Sequence, residues 1–316
     1  MALTFDEILI AIQEAVDRLG KVAADKQNPL FREVMTMLKQ LETKGDTILN
    51  NVNNLKLINN LKAKIERIVI DKKYKAELKT FAKAFEQIGN MQNQYFATFN
   101  TKFKPKAVMN VLKKDAIKTT LTNLTEAGLQ AGVTDGLRRI LLTNVTSGGS
   151  YAALTDQLRN HLTNNATGEG ALERYVKTYA TTAINQFSAE YNKKISSDLG
   201  LKWYMYTGSL ITTSRDFCIH ATEKTYMHES EFPTLLKGNI DGQQVHLNKK
   251  TGLPDGMMEG TTPDNFPRRR GGWNCRHQLI AVDDLIVPKN VKDRVYSTRE
   301  FQTWSLQNNV PVENMP

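Results

Sequence analysis

The sequence is poor in cysteine, proline and long apolar segments. Its 316 residues include two cysteines and nine prolines, and aromatic residues make up 8%. Two cysteines are too few for the disulfide framework of a small secreted domain. No apolar run is long enough to cross a membrane, and acidic Asp6 and Glu7 stand where a signal peptide carries positive charge. These features predict a protein that is made and folded in a cytoplasm.

The sequence also lacks the common signatures of enzymes. It contains no Walker loop, no HExxH pattern, no GxSxG turn and no dinucleotide-binding fingerprint. Apolar residues make up 40% and charged residues 24%, which is typical of a globular protein. The composition therefore predicts one large or two ordinary folded domains, and no motif identifies an enzyme.

The spacing of apolar residues divides the chain into a helical first part and a mixed second part. Residues 1–125 predict a helical arm or bundle, with a break between helices at Pro29. Residues 137–285 predict a small mixed α+β domain, because helices up to Gly200 are followed by runs rich in aromatic and β-branched residues. Residues 286–316 are polar and predict an extended tail. The predicted fold class is therefore α+β, with a mainly helical N-terminal arm or bundle before the small domain.

Positive charge is concentrated in one helical stretch. The net charge is +9, and residues 51–118 hold 15 lysines and arginines against 5 acidic residues. Such a surface favours a polyanion such as nucleic acid, although a solvated helical face explains the same pattern. An arginine triplet next to two glycines forms a second basic segment, suited to phosphate. The candidate nucleic-acid contacts are Lys62, Lys64, Arg67, Lys72, Lys73, Lys75, Arg268, Arg269 and Arg270.

Both cysteines are followed, two residues later, by a histidine. The pairs are Cys218 with His220 and Cys275 with His277. Residues two apart on an extended segment point to the same side, so each pair offers a thiolate and an imidazole together. Two such pairs provide a ligand set for one tetrahedral structural zinc ion.

Other interpretations of the two cysteines remain open. They could be buried thiols that pack as small apolar side chains, or they could form one disulfide. His228 or His246 could replace one of the proposed ligands. A thiol–imidazole pair is also the chemistry of a nucleophilic enzyme. Trp273, close to the second pair, is expected to pack in the interior.

Four segments occur in an order that resembles a known family. They are GGSYAALTDQLRNHL, LERYVKTYATTAINQFSAEYNKK, WYMYTGSLITTSRDFC and GGWNCRH. Together they resemble the phage minor head proteins, also called Mu F-like or head morphogenesis proteins. The similarity covers about residues 137–285. Many members of the family have His-Pro where this chain has Gly272 and Trp273.

The resemblance implies a structural virion protein of a tailed phage, with no catalytic residues. Such a protein is made in the host cytoplasm and resides in the phage head. It associates with the portal or the major capsid protein and with packaged double-stranded DNA, during head assembly or genome delivery. Two other classes fit the residues: a metal- or thiol-dependent hydrolase or toxin that uses the cysteine–histidine pairs, and a stand-alone, non-specific DNA-binding protein.

Overall fold

The structure is a computed structural model that describes residues 5–100, 102–125, 127–166 and 168–310. The side chains of residues 61 and 62 are not part of that description. The predicted phosphate contact of Lys62 therefore lies outside the described residues, as does the end of the predicted tail, residues 311–316.

Helices dominate the described residues, and the strands are short. The helices are α1 (Phe5–Leu38), α2 (Val52–Asn59), α3 (Leu61–Val69), α4 (Lys72–Ala97), α5 (Ala107–Thr125), α6 (Ala127–Leu129), α7 (Asp135–Ser147), α8 (Tyr151–Leu162), α9 (Ala171–Leu199), α10 (Asp216–Lys224), α11 (Phe232–Leu236), α12 (Phe266–Arg269), α13 (Lys289–Tyr296) and α14 (Arg299–Gln307). The strands are β1 (Thr43–Lys44), β2 (Thr47–Ile48), β3 (Trp203–Thr207), β4 (Tyr226–His228), β5 (Asn239–Ile240), β6 (Gln243–Gln244) and β7 (Gln278–Val282). The predicted fold class is confirmed. Within the described part of the chain, no helix combines the length and the apolar character needed to cross a membrane.

The first helix, α1, forms because apolar residues recur on one side of it. Ile12 and Leu19 lie seven residues apart, about two turns, and both are buried. The predicted break at Pro29 is wrong, because α1 continues through this residue. Leu30 and Val34, which follow the proline, are buried as well. Their burial offsets the backbone hydrogen bond that the proline removes.

Contacts along the chain define two compact units. Unit 1 comprises Met1–Leu9, Gln87–Lys113 and Thr181–Pro316, and unit 2 comprises Ile10–Glu86 and Lys114–Ala180. These units differ from the predicted ranges 1–125 and 137–285. The reason is that segments far apart in the sequence pack together within each unit, which the local pattern of residues does not reveal.

Unit 2 is helical, and polar contacts at the start of α4 join three of its helices. The Asp71 carboxylate accepts hydrogen bonds from the Lys26 ammonium and from the backbone N–H of Tyr74. The Tyr74 ring is fully buried, and its hydroxyl donates to the carbonyl oxygen of Leu124 at 3.0 Å. These contacts connect α1, α4 and α5.

Unit 1 contains a three-stranded antiparallel sheet with the order β4-β3-β7. Trp203 on the central strand lies opposite His228 on one side and Val282 on the other. All five residues of β7 are buried. The side-chain oxygen of Asn192 on α9 accepts the backbone N–H of Ala281 at 2.9 Å. In the segment that leads into β7, the side chains of Cys275 and His277 are also buried.

The predicted extended tail is wrong for the residues that the structure describes. Residues beyond 288 form α13 and α14, and Val295 and Phe301 join Trp203 in a buried apolar cluster. The Thr298 side chain accepts the backbone N–H of Phe301 and so caps α14. The tail is helical because its apolar residues recur at helical spacing and have a surface to pack against.

Candidate metal centre

The first cysteine–histidine pair lies on a helix, so its prediction as an extended segment is wrong. Cys218 and His220 both belong to α10. Residues two apart on a helix differ by about 200° around its axis and point in opposite directions. Cys218 is buried, whereas the His220 side chain is 33% exposed, and its Nδ1 lies 3.0 Å from a carboxylate oxygen of Glu223. The helix therefore directs His220 away from Cys218, and the predicted Cys2His2 ligand set is not assembled.

The second pair is arranged as predicted. The buried side chains of Cys275 and His277 lie on the same side of the segment before β7, with 3.8 Å between Sγ and Nδ1. The His277 ring stacks on the ring of Tyr206 in β3, with 5.4 Å between centroids. Gly208, with φ +140°, permits this packing, because a Cβ there would lie 2.8 Å from the Cα of His277.

Three of the four predicted ligands come together. The sulfur atoms of Cys218 and Cys275 and a ring nitrogen of His277 all lie within 4.8 Å of one another. Tetrahedral zinc, with bonds of about 2.3 Å to sulfur and 2.0 Å to nitrogen, places such donors about 3.6 Å apart. The 3.8 Å between Cys275 and His277 is close to that separation. The donor types and their spacing therefore fit a metal ion such as zinc.

Hydrogen bonds differentiate the two thiols. The Tyr206 hydroxyl donates to Sγ of Cys218 at 3.4 Å. A hydrogen bond from Cys218 holds the pKa of the Cys275 thiol well below its ordinary value, and His277 and Arg270 act in the same direction, against the effect of burial. The same contact, together with burial, raises the pKa of Cys218. Of the two thiols, Cys275 is therefore the one whose surroundings favour the thiolate, the form that binds metals and attacks electrophiles.

Arg270 supports this group and is not available to nucleic acid. Its guanidinium donates to the carbonyl oxygens of Pro267 and His277, the latter at 3.0 Å, and lies over the Tyr206 ring at 5.2 Å. The residue is 4% exposed. The predicted phosphate contact of Arg270 is therefore wrong, because the side chain is buried among its own partners.

Helix α9 positions the segment that carries Cys275. The buried side chain of Asn185 donates to the carbonyl oxygen of Cys275 at 2.9 Å and accepts from the side chain of Gln278. One turn earlier, the Thr182 hydroxyl accepts the backbone N–H of Asn274 at 3.0 Å. Sequence reasoning did not single out these residues. The available signal was polar side chains among the apolar residues of a long helix.

Replacing Asn185 with alanine is expected to weaken metal binding, although Asn185 is not a donor. The substitution leaves the Cys275 carbonyl and the Gln278 side chain without their partner, so the segment loses its anchor. Loss of such an outer-shell contact typically reduces metal affinity about 10–100-fold. Titration of the protein with Co²⁺, followed by the thiolate–metal absorption band, measures this change.

Asn192 provides the matched control on the same helix. It is equally a buried asparagine, but it bonds the backbone of Ala281 and not the segment that carries the donors. We expect Asn192→Ala to lower the free energy of unfolding by about 1–3 kcal/mol and to leave metal affinity unchanged. Equal losses of affinity in Asn185→Ala and Asn192→Ala would contradict a positioning role for Asn185.

A pocket reaches all three donor residues. Its volume is about 160 Å³, and its polar lining includes Ser214, Arg215 and Asn274. The Arg215 guanidinium donates to the carbonyl oxygens of residues 271 and 273 and so joins the two loops that form the walls. Ile211 and Trp273 also line the pocket and are 50% and 56% exposed, so the expected interior packing of Trp273 is wrong. Small ligands can therefore approach the donors from one side.

The two alternative histidines lie in other environments. His228 is buried against Trp203 and Trp304, and burial lowers its pKa to about 3, so the ring is neutral. His246 is exposed, and its Nδ1 lies 2.5 Å from a carboxylate oxygen of Asp255. Neither belongs to the group of Cys218, Cys275 and His277.

Some of the predicted nucleic-acid contacts are occupied by contacts within the protein. Lys64 and Lys73 form ion pairs with Glu33 and Asp25, at 3.5 and 2.7 Å. Arg268 lies 3.6 Å from a carboxylate oxygen of Glu190. Arg269 donates to a backbone carbonyl oxygen. The arginine triplet therefore contributes to the structure of its own loop.

Four other lysines form a continuous basic surface on α4, here called the α4 lysine ridge. They are Lys72, Lys75, Lys79 and Lys83. All four are exposed, and at 100° per residue they occupy an arc of about 80° that extends about 16 Å along the helix. The opposite face of α4 is buried through Tyr74, Leu78, Phe81 and Phe85. Lys72 and Lys75 are among the predicted nucleic-acid contacts, whereas Lys79 and Lys83 are not.

Comparison with known proteins finds no match to this chain. No protein-family model, no curated protein and no solved structure matches the chain. The function is therefore inferred from the residues of the chain and the geometry of its site.

Proposed function

We propose that the chain is a minor head protein of a tailed phage, a structural component of the virion and not an enzyme. It would associate with the portal or major capsid protein and with packaged double-stranded DNA during head assembly or genome delivery. Unit 1 would serve as the docking body, and the α4 lysine ridge of unit 2 would contact DNA phosphates without sequence preference.

Three of the four family-like segments meet at one place, which supports this proposal, whereas the first, GGSYAALTDQLRNHL, lies in unit 2. Asn185 comes from the segment LERYVKTYATTAINQF, and Tyr206 and Cys218 come from WYMYTGSLITTSRDFC. Cys275 and His277 come from GGWNCRH. These residues touch one another in unit 1, although up to 92 positions separate them in the sequence. Three of the segments on which the resemblance depends therefore contribute residues to one site.

A structural metal ion belongs to the same proposal. Cys218, Cys275 and His277 would hold zinc, which would supply a cross-link between α10 and the segment before β7. Tyr206 and Asn185 would orient the donors through the hydrogen bonds described above. The cross-link would keep unit 1 rigid when it docks on a partner.

A metal- or thiol-dependent hydrolase is the second candidate function. The pocket of about 160 Å³ that reaches all three donors favours it, because catalytic metal sites leave a position open whereas structural sites are closed by four protein ligands. The Cys275 thiol, whose pKa is lowered beside His277, offers a nucleophile in the same place. This candidate predicts that the purified protein hydrolyses ester or peptide substrates and that Cys275→Ser abolishes that activity.

Quantitative mass spectrometry of purified phage particles, before and after genome release, tests the leading proposal. We expect the protein at low copy number in full particles. Its loss after release would show that it leaves with the DNA, and its retention would place it in the head. Absence from particles would refute the virion assignment, and steep salt dependence of DNA binding would then favour a stand-alone DNA-binding protein.

A further inference from the structure

We propose that the site of Cys218, Cys275 and His277 takes a fourth donor, of the imidazole or thiolate class, from outside the group through the adjoining pocket. This inference rests on the metal site of the proposed function. It adds that one coordination position of the metal ion is open to an external ligand, whereas a structural site would be closed by four protein donors.

The donor count is the first step. Zinc in proteins is four-coordinate in almost all structural sites, and three protein donors leave one position to another ligand. The described residues bring together two sulfurs and one nitrogen within 4.8 Å. The nearest alternative in the sequence, His220, points away from Cys218 because α10 is helical. The fourth position is therefore left to a ligand from outside this group.

The pocket is the second step, because it shows from which side that donor arrives. All three donor residues line it. A void of about 10–15 Å³ holds one water molecule, so a pocket of about 160 Å³ accommodates a ring such as imidazole. A second void beside Cys275 and His277, lined by Asn185 and Arg270 among others, has only about 10 Å³ and does not admit such a ring.

The chemistry of the walls is the third step. A site with two thiolate donors prefers nitrogen or sulfur over carboxylate oxygen as a further ligand. Ile211 and Trp273 add half-exposed apolar surface, which favours a donor attached to an apolar group over a free hydrated anion. An imidazole or thiol side chain of a partner protein has this character.

The test uses the full-length protein loaded with Co²⁺, which reports coordination through its visible absorption, and imidazole as the probe. We expect thiolate-to-cobalt absorption on loading and a saturable shift of the visible bands when imidazole is added. Metal content, measured after equilibrium dialysis, must stay constant, so that the shift is not loss of cobalt. Bound cobalt with a spectrum that does not respond to imidazole would overturn the proposal.

Two variants complete the experiment. His220→Ala is expected to change Co²⁺ affinity by less than about twofold, and to leave the imidazole response intact, because the partly exposed side chain faces Glu223 and is not a donor. A changed cobalt spectrum in this variant would mean that His220 already supplies the fourth donor, which would overturn the inference. Cys218→Ser removes one of the three donors and should weaken Co²⁺ binding more than the about 10–100-fold that is typical of losing an outer-shell contact.

The failure of this inference can be separated from the failure of the proposed function. If the wild-type protein does not bind Co²⁺ at all, both the metal site and its fourth position are refuted. The virion assignment is decided independently by the composition of phage particles. Binding of Co²⁺ with no imidazole response would leave a closed structural site compatible with the minor head protein.

Discussion

Replacing the four lysines of the α4 lysine ridge with glutamine is expected to remove most of the affinity of the protein for duplex DNA. Each lysine–phosphate contact releases condensed counterions, so log K falls with log salt concentration by about 0.9 per contact. Four contacts correspond to a slope of about −3.6, and their loss lowers affinity about 100-fold or more at low salt. Fluorescence anisotropy with a 30-base-pair duplex, about three helical turns, measures both quantities across a salt series.

The prediction depends on the arrangement of these lysines and not on total charge. Lysines of the ridge succeed one another at rises of about 4.5–6 Å along α4, so neighbouring side chains can reach successive phosphates. The predicted contacts at Lys64 and Lys73 differ, because Glu33 and Asp25 already neutralise them. We therefore expect Lys64→Gln and Lys73→Gln to change the salt slope little.

A second variant with the same change in charge controls for this distinction. Lys39, Lys44, Lys237 and Lys249 are exposed lysines outside the ridge. Their replacement by glutamine removes the same amount of positive charge and should leave the salt slope nearly unchanged. Equal losses in the two variants would mean that only net charge matters, and the ridge would then not be a binding surface.

The sequence predicts side-chain contacts correctly where they depend only on neighbouring residues. Cys275 and His277 come together because they lie on the same side of the segment before β7, a relation between close neighbours. Cys218 and His220 do not form such a pair, because the residues around them carry the signals of a helix and form α10. Asp216 stands in the first turn of α10, and Ala221, Glu223 and Lys224 are good helix formers.

Other features depend on contacts between distant residues. The burial of Arg270 follows from Tyr206 and from the carbonyl oxygen of His277, and no local pattern distinguishes it from exposed Arg268. The role of Asn185 depends on Cys275, 90 residues later in the chain. The helix in the tail, by contrast, is predictable from local sequence, because Thr298 is an N-cap residue three positions before Phe301 at the start of α14.

Replacing Cys275 with serine is expected to lower the midpoint of thermal unfolding of the zinc-loaded protein by about 8–16 °C. A ligand at 1,000 times its dissociation constant stabilises the folded state by about 4 kcal/mol. Each kcal/mol shifts the midpoint by about 2–4 °C in a folded body of 150–250 residues. Serine provides no thiolate donor, so the zinc contribution is lost. Differential scanning calorimetry measures the shift, and His220→Ala, which changes a partly exposed residue that is not a donor, should leave the midpoint nearly unchanged.

The same calorimetric experiment separates the three explanations of the cysteine pair. If zinc joins Cys218 and Cys275, a chelator lowers the midpoint of the wild-type protein to that of Cys275→Ser and leaves the variant unaffected. If a disulfide joins them, a reductant lowers the wild-type midpoint and a chelator does not. If the two thiols only pack, neither reagent acts, and Cys275→Ser costs no more than about 1–2 kcal/mol, as for a small change in a buried side chain. A wild-type midpoint that is insensitive to the chelator would therefore refute the metal site directly.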